Sequence, residues 1–315
     1  MKKIVLISAI VSSTLLIIGG TFFAIGIVNE TKNNKIVTNE YEINDFNDIN
    51  VDIDTADLEF KVSNDGSKKV VCVEKEKQLH SVEVDNNTLI IESNDERKWY
   101  ERIFNFNLTK TKVTIYMPLG SYDDINIKSS TGNVYIPNQY TFSSLNIEVS
   151  TGNIQVQADV LNSVTIESST GNVSIETESK SVNVNVSTGN VLMTNSIIEE
   201  NIEVTTSTGQ ITINDTSSKM IRLKTSTGDI KLTNVIADDS LFVRTSTGNV
   251  RFTDCDATKL IDIETSTGNV NGSLLTGKIF DARTSTGKIN CPPSNGEGLC
   301  KVRTSTGNIN ITLKS

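Results

Sequence analysis

A chain of 315 residues with 37% hydrophobic and 21% charged side chains is too apolar for disorder and long enough for a large core. Aromatic residues make up only 5%, with Trp99 the one tryptophan, so the expected core is aliphatic. Residues 1–35 hold four lysines and one glutamate, so the net −9 of the whole chain becomes −12 over 36–315. That acidic body excludes nucleic acid as a partner, because its binders need a basic footprint.

In chain order, Ile4 to Val28 comes first, 25 residues without a charge. About 20 apolar residues in a helix cross a bilayer. The segment predicts a cytoplasmic stub at 1–3 and a transmembrane helix at 4–28. A cleaved signal peptide is the alternative, since Ala24-Ile25-Gly26 imitates a small-residue cleavage site. Lys2, Lys3 and the free amino terminus favour a cytoplasmic start. The expectation is a single-pass protein of the cell membrane whose body lies outside the cytoplasm. Residues 29–40 read as a polar linker.

Degenerate coils or a cap are expected over 41–120. Ile49, Val51, Leu58 and Phe60 surround Ala56 on the offsets that later repeats use, so a first coil starts there. Val82, Leu89 and Ile91 around Asn87 read as another coil. The stretch 94–112, with Trp99, Tyr100, Phe104 and Phe106 among charges, interrupts the pattern. It is either an outward hairpin or a binding excursion.

From 121 to 315 the chain is organised by one tripeptide. Ser-Thr-Gly recurs ten times, at Gly132, Gly152, Gly171, Gly189, Gly209, Gly228, Gly248, Gly268, Gly287 and Gly307, with gaps of 18 to 20 residues. Apolar residues stand seven and five before each glycine and two and four after it, with polar residues between, which is a strand with one buried face. A period near twenty marks stacked coils. The fold predicted is all-β, a parallel β-solenoid of about 20-residue coils. An antiparallel meander would leave an apolar face that no helical segment covers. Glycine supplies the positive φ of a tight corner, and Ser, Thr and the following Asn are expected to form ladders from coil to coil. Whether each coil has two sides or three stays open.

The stretches INVDIDTADLEFKV at 49–62 and TKVTIYMPLGSYDDINIKSSTGNVYI at 111–136, with the Ser-Thr-Gly-Asn repeats, resemble the bacterial putative-adhesin family of β-strand-repeat proteins. The resemblance covers roughly 40–315. It implies a β-solenoid domain, often membrane-tethered, in Gram-positive bacteria, associated with the cell envelope and in some members with envelope-stress response systems. The family has no established catalytic residues, so the resemblance carries none over.

The residues offer little enzymatic chemistry. Glu148 and Glu167 share offset −4 in consecutive coils, the arrangement a polysaccharide hydrolase would need, yet nothing places them in a cleft. His80 is the one histidine and no CxxC pair exists, so neither a zinc site nor any other metal or cofactor is expected. Cys291 and Cys300 flank one turn, and a bridge between them stays open.

Late coils carry Lys224, Arg244, Arg283 and Arg303 at offset −4, with Lys231 and Arg251 at +3. They suggest a basic stripe for anionic wall polymer or another polyanionic partner, set against ordinary solubilising charge. The last strand, ending at Leu313, shows no evident cap, so end-to-end self-association is expected at an open C-terminal edge. The function read from sequence is a non-enzymatic, membrane-anchored binding or structural module of the envelope. A regulatory accessory of an envelope-stress sensor comes second, a polysaccharide-active enzyme third, and ice binding last.

Overall fold

The computed structural model describes residues 35–95 and 110–314. The span expected at 4–28 and the aromatics Trp99, Tyr100, Phe104 and Phe106 lie outside the described residues. Among the described residues no helix is long and apolar enough to cross a membrane.

Period-two alternation commits the chain to strands throughout. The first seven are β1 (Ile36–Glu42), β2 (Asp48–Thr55), β3 (Asp57–Val62), β4 (Lys69–Lys75), β5 (Gln78–Asp85), β6 (Thr88–Asp95) and β7 (Lys112–Met117). The early repeats give β8 (Gly120–Thr131), β9 (Val134–Ile136), β10 (Tyr140–Thr151), β11 (Ile154–Val156), β12 (Asp159–Thr170), β13 (Val173–Ile175) and β14 (Glu178–Thr188). Three coils then run as single bent strands, β15 (Val191–Thr208), β16 (Ile211–Thr227) and β17 (Ile230–Thr247). The last seven are β18 (Val250–Ala257), β19 (Leu260–Thr267), β20 (Val270–Leu274), β21 (Ile279–Thr286), β22 (Ile289–Asn290), β23 (Leu299–Thr306) and β24 (Ile309–Leu313).

From β8 onward every pairing is parallel and in register with the tripeptides: Ile147 faces Ile127 and Ile166, and Thr227 faces Thr208 and Thr247. The chain is therefore a parallel β-solenoid of about ten coils. Each coil has three sides. In β16, Ile211 and Ile213 point inward, the chain bends at Asp215, Thr216 and Ser218 point inward, and Ile221, Leu223 and Thr225 line the last side. The bend needs positive φ without glycine, and Asn195, Asp215, Asn234 and Asp254 supply it at 46–53°. Asn and Asp tolerate that region best among residues with a side chain.

The glycine corner has two causes. At Gly228 φ is +153°, and a Cβ there would lie 2.0 Å from the carbonyl oxygen of Gly209 in the coil below. Positive φ was legible from the sequence, whereas the backbone-to-backbone approach follows only from stacking. The asparagine ladder forms as expected: Asn153 N and Nδ2 both donate to Asn133 Oδ1, at 2.9 and 3.2 Å. The tripeptide's Ser and Thr side chains instead face solvent. The inter-coil hydroxyl bond belongs to the buried residue before them: Thr225 Oγ1 donates to Gly209 O (3.1 Å) and Thr245 Oγ1 to Gly228 O (3.1 Å).

Both ends depart from simple order. At the N-terminal end β2 lies between β8 and β6, with Ile49 facing Ile125 on one side and Leu89 on the other. Beyond that coil the pairing turns antiparallel: β4 pairs with β7 and β1, and β5 with β6. Asn86 and Asn87, at φ 46° and 67°, make the two-residue hairpin turn that joins β5 to β6. Asn87 is thus not the corner of a coil. Leu89 and Ile91 enter the stack, while Val82 pairs across the hairpin with Ile91. Phe46, Tyr122, Tyr140 and Phe142 pack together at this end, with neighbouring ring centroids 5.9–6.3 Å apart, so the otherwise aliphatic core has an aromatic plug.

At the C-terminal end β23 sits between β19 and β21, and β24 between β20 and β22. The last coil in sequence is the second to last in space. Ile309 and Asn310 are therefore interior, Ile311–Leu313 pair with β20 on one side only, and the terminal coil is the one around Gly287. Its Ile279 and Ile289 are 54% and 47% exposed. The Pro292-Pro293-Ser294 turn closes part of it, with Ser294 Oγ accepting from Phe280 N at 3.0 Å. All four cysteines are free thiols, so Cys291 and Cys300 are not bridged.

Candidate polyanion-binding face

The outward side chains of β16, β17, β19, β23 and β21 carry the offset −4 row. Register places Lys224 beside Arg244, Arg244 beside Glu264, Glu264 beside Arg303 and Arg303 beside Arg283. The row is not an uninterrupted basic stripe. Arg244 Nη2 lies 2.7 Å from Asp262 Oδ2 and its Nε 3.1 Å from Glu264 Oε2. Asp281 takes both Arg283, at 2.9 Å, and Arg303, at 3.5 Å. Lys231 and Arg251 occupy a separate row on the other side of the glycine corner, where Arg251 Nη1 lies 2.6 Å from Asp229 Oδ2. Burial pushes the Asp229 carboxyl up, but the Asn249 amide and the Arg251 guanidinium outweigh it and hold it below the usual carboxylate range. Of the six predicted cations, Lys224 and Lys231 have no acidic partner among the described residues.

Two residues that sequence reasoning missed complete the site. Arg222 and Phe242 stand at offset −6, opposite each other on adjacent coils, with the guanidinium 4.5 Å from the ring centroid. Offset −6 faces the same way as −4, so counting both outward offsets would have found them. Together with Glu203, Thr205, Lys224 and Arg244 they line a groove of about 210 Å³. The groove offers two cations, Arg222 and Lys224, without a carboxylate in contact among the described residues, on an aromatic floor. The arrangement can hold an anion by charge and hydrogen bonding.

The carboxylates Glu148 and Glu167 do face each other across adjacent coils, but on an exposed outer face where Glu148 lies 3.6 Å from Lys128. A larger cavity of about 530 Å³ on the third side is lined by Asp256, Leu275, Lys278 and Glu297 among others. Its cation, Lys278, is bound to Asp256 Oδ1 at 2.7 Å.

A parallel solenoid with glycine corners and an outward-facing groove defines the class of protein. The Toastrack DUF4097 family matches residues 46–201 and 195–315, and the chain belongs to that family, a domain of unknown function with a β-repeat fold. No curated protein matches. Among solved structures the chain is similar to a putative adhesin from Bacteroides fragilis NCTC 9343, at 17% identity and TM-score 0.44, covering 88% of this chain and 97% of that one. A putative lipid binding protein from Parabacteroides distasonis ATCC 8503 is similar at 18% identity and TM-score 0.43, with the same coverage.

Proposed function

We propose that the chain is a non-enzymatic binding or structural module of the cell envelope. In this reading residues 4–28 anchor it in the cell membrane, the solenoid stands outside the cytoplasm, and an anionic polymer docks on its outer face. The observation that carries the reading is the Arg222–Phe242–Lys224 groove, where positive charge is left over on a body of net −12. The interior of the stack is filled with side chains, which directs binding chemistry to the outer faces. Arg283 and Arg303 contribute less, because Asp281 already engages them.

Cosedimentation of the full chain with a polyglycerol-phosphate polymer tests the docking. Reversing Arg222 and Lys224 to glutamate should weaken binding at least tenfold at low salt, and the wild-type affinity should fall as salt rises. The Arg283→Glu variant should bind within about threefold of wild type, since removing a cation already neutralised changes little. Equal binding by the wild type and the Arg222→Glu/Lys224→Glu variant would overturn the assignment.

The exposed Ile279 and Ile289 of the terminal coil favour a second reading, in which a membrane stress sensor or a second copy pairs with that end. Stress-dependent crosslinks from this coil to a sensor in intact cells would support it, and their absence would remove it.

A further inference from the structure

The antiparallel cap contains a cluster that the solenoid does not explain. Cys72 and Glu74 alternate on β4 and so share a face. A short turn after Lys75 returns the chain as β5 and brings His80 back to them. All three are buried, Cys72 and Glu74 completely. Glu74 Oε2 accepts the His80 backbone N–H at 2.7 Å and lies 2.6 Å from His80 Nδ1. Its other oxygen accepts from Asn39 Nδ2 at 2.6 Å, and the Tyr41 hydroxyl donates to the His80 carbonyl at 3.2 Å.

One thiol, one carboxylate and one imidazole are the donor mix of zinc rather than of calcium or magnesium, which take oxygen throughout. Their ligand atoms all lie within 4.8 Å of one another. Zinc bonds of about 2.0–2.3 Å set tetrahedral donors about 3.3–3.8 Å apart, so the Cys72 sulfur closes in while His80 Nδ1 opens from its 2.6 Å contact with Glu74 Oε2, shifts within reach of side-chain rotation. A second observation is independent of this spacing. Among the described residues His80 Nε2 is buried without a partner, although buried polar atoms are nearly always bonded. A cavity of about 10 Å³, the room one water needs, adjoins His80 beside Asp54, Ser93 and Thr111. A water there would accept from Nε2–H and leave the Nδ1 lone pair to an ion set between it and the Glu74 carboxylate that it now meets, the usual outer-shell support of a ligating histidine.

We propose that Cys72, Glu74 and His80 form a binding site for a divalent ion of the zinc class, with the fourth position left to water or the Asn39 amide. One thiolate and one carboxylate balance the ion's charge, so the filled site is neutral in its buried setting. Sequence reasoning excluded zinc for want of a second histidine and a CxxC pair. The carboxylate between the two other ligands is what that reasoning did not count. Asn39 and Tyr41 belong to β1, so metal binding would fasten β1 to the cap, between the solenoid and the segment that precedes it.

The test uses the full chain in detergent, stripped with a chelator and titrated with Co2+ and Zn2+. The expected results are one ion per chain, a thiolate-to-cobalt charge-transfer band, and faster amide exchange in 36–42 and 69–85 after chelation. The variants Cys72→Ser and His80→Asn should lose the band and weaken zinc binding by more than the roughly 10–100-fold penalty of an outer-shell change. Cys255→Ser, a buried thiol elsewhere, should keep it. Should the ligand variants misfold, the wild-type spectrum and the Cys255→Ser control still decide. Less than one ion per wild-type chain, a cobalt spectrum without the thiolate band, or loss of the band in Cys255→Ser would overturn the site.

Discussion

The position three before each corner glycine sets how firmly one coil grips the next. Threonine there reaches the glycine carbonyl of the neighbouring coil, as Thr225, Thr245, Thr265 and Thr304 do at 3.0–3.1 Å. Ser129 and Ser168 occupy the same offset, yet their buried hydroxyls have no partner among the described residues. A buried hydroxyl without a bond is costly, and Val149 and Val186 already fill this offset in the coils on either side of Ser168. Ser168→Val is therefore expected to stabilise by about 0.5–1.5 kcal/mol, while Thr225→Val should destabilise by a similar amount. Paired denaturant titrations of the two variants check both signs. This bond was hard to read from sequence. The eye is drawn to the invariant Ser-Thr-Gly, whereas its neighbour alternates among Ser, Val and Thr and looks like noise until the stack gives it a partner.

Strands and their bends were legible to different depths. Ile202, Val204, Ile211 and Ile213 announced two sides of their coil by alternation, and all four are buried. The third side was obscured because its inward residues, such as Ser196, Thr216 and Ser218, are small and polar. Cross-coil charge pairing was less legible still. Arg244 could be placed at offset −4, but its partners, Asp262 and Glu264, are fixed only by which coil lies next to it. Near the C-terminus sequence order fails outright, since Glu264 faces Arg303 rather than Arg283. Asp229 takes the ladder place that asparagine fills in most coils, and its folded pKa is depressed. A depressed carboxylate contributes stability above its unfolded pKa of about 3.9 and loses it as pH falls through the folded value. Asp229→Asn keeps a ladder acceptor and removes the charge facing Arg251. Melting curves should show the wild type more stable than this variant at pH 6, with the gap closing below about pH 4.

Over the whole molecule, the two ends share one device. At each end the outermost coil and the next are visited out of sequence, so β2 and β3 at one end and β23 at the other lie inside the sheet, while β1 pairs with β4 on one side only. The solenoid body was readable from its repeats, but the ends were not, because parallel register alone does not say which coil lies above which. β21 pairs with β23 and β22 with β24, and among the described residues these are the strand pairings that join the terminal coil to the stack. Removing 308–314 should therefore do more than shorten the rod by one coil. Hydrogen exchange should show protection lost at 289–290 and weakened across 270–274 together, with 134–247 unchanged. Loss confined to 299–307 would contradict the interleaved order.

That interleaving also dictates timing during synthesis. From the coil around Gly152 on, a chain made from its N-terminus can lay down coils as they emerge, each on the one before, up to Gly268. The coil around Gly287 emerges next with no neighbour to rest on, because its place is one level further out. It must wait until Leu299 to Leu313 has been made and has settled between the two. The stretch from β21 to β24 would then lock as one cooperative step rather than coil by coil.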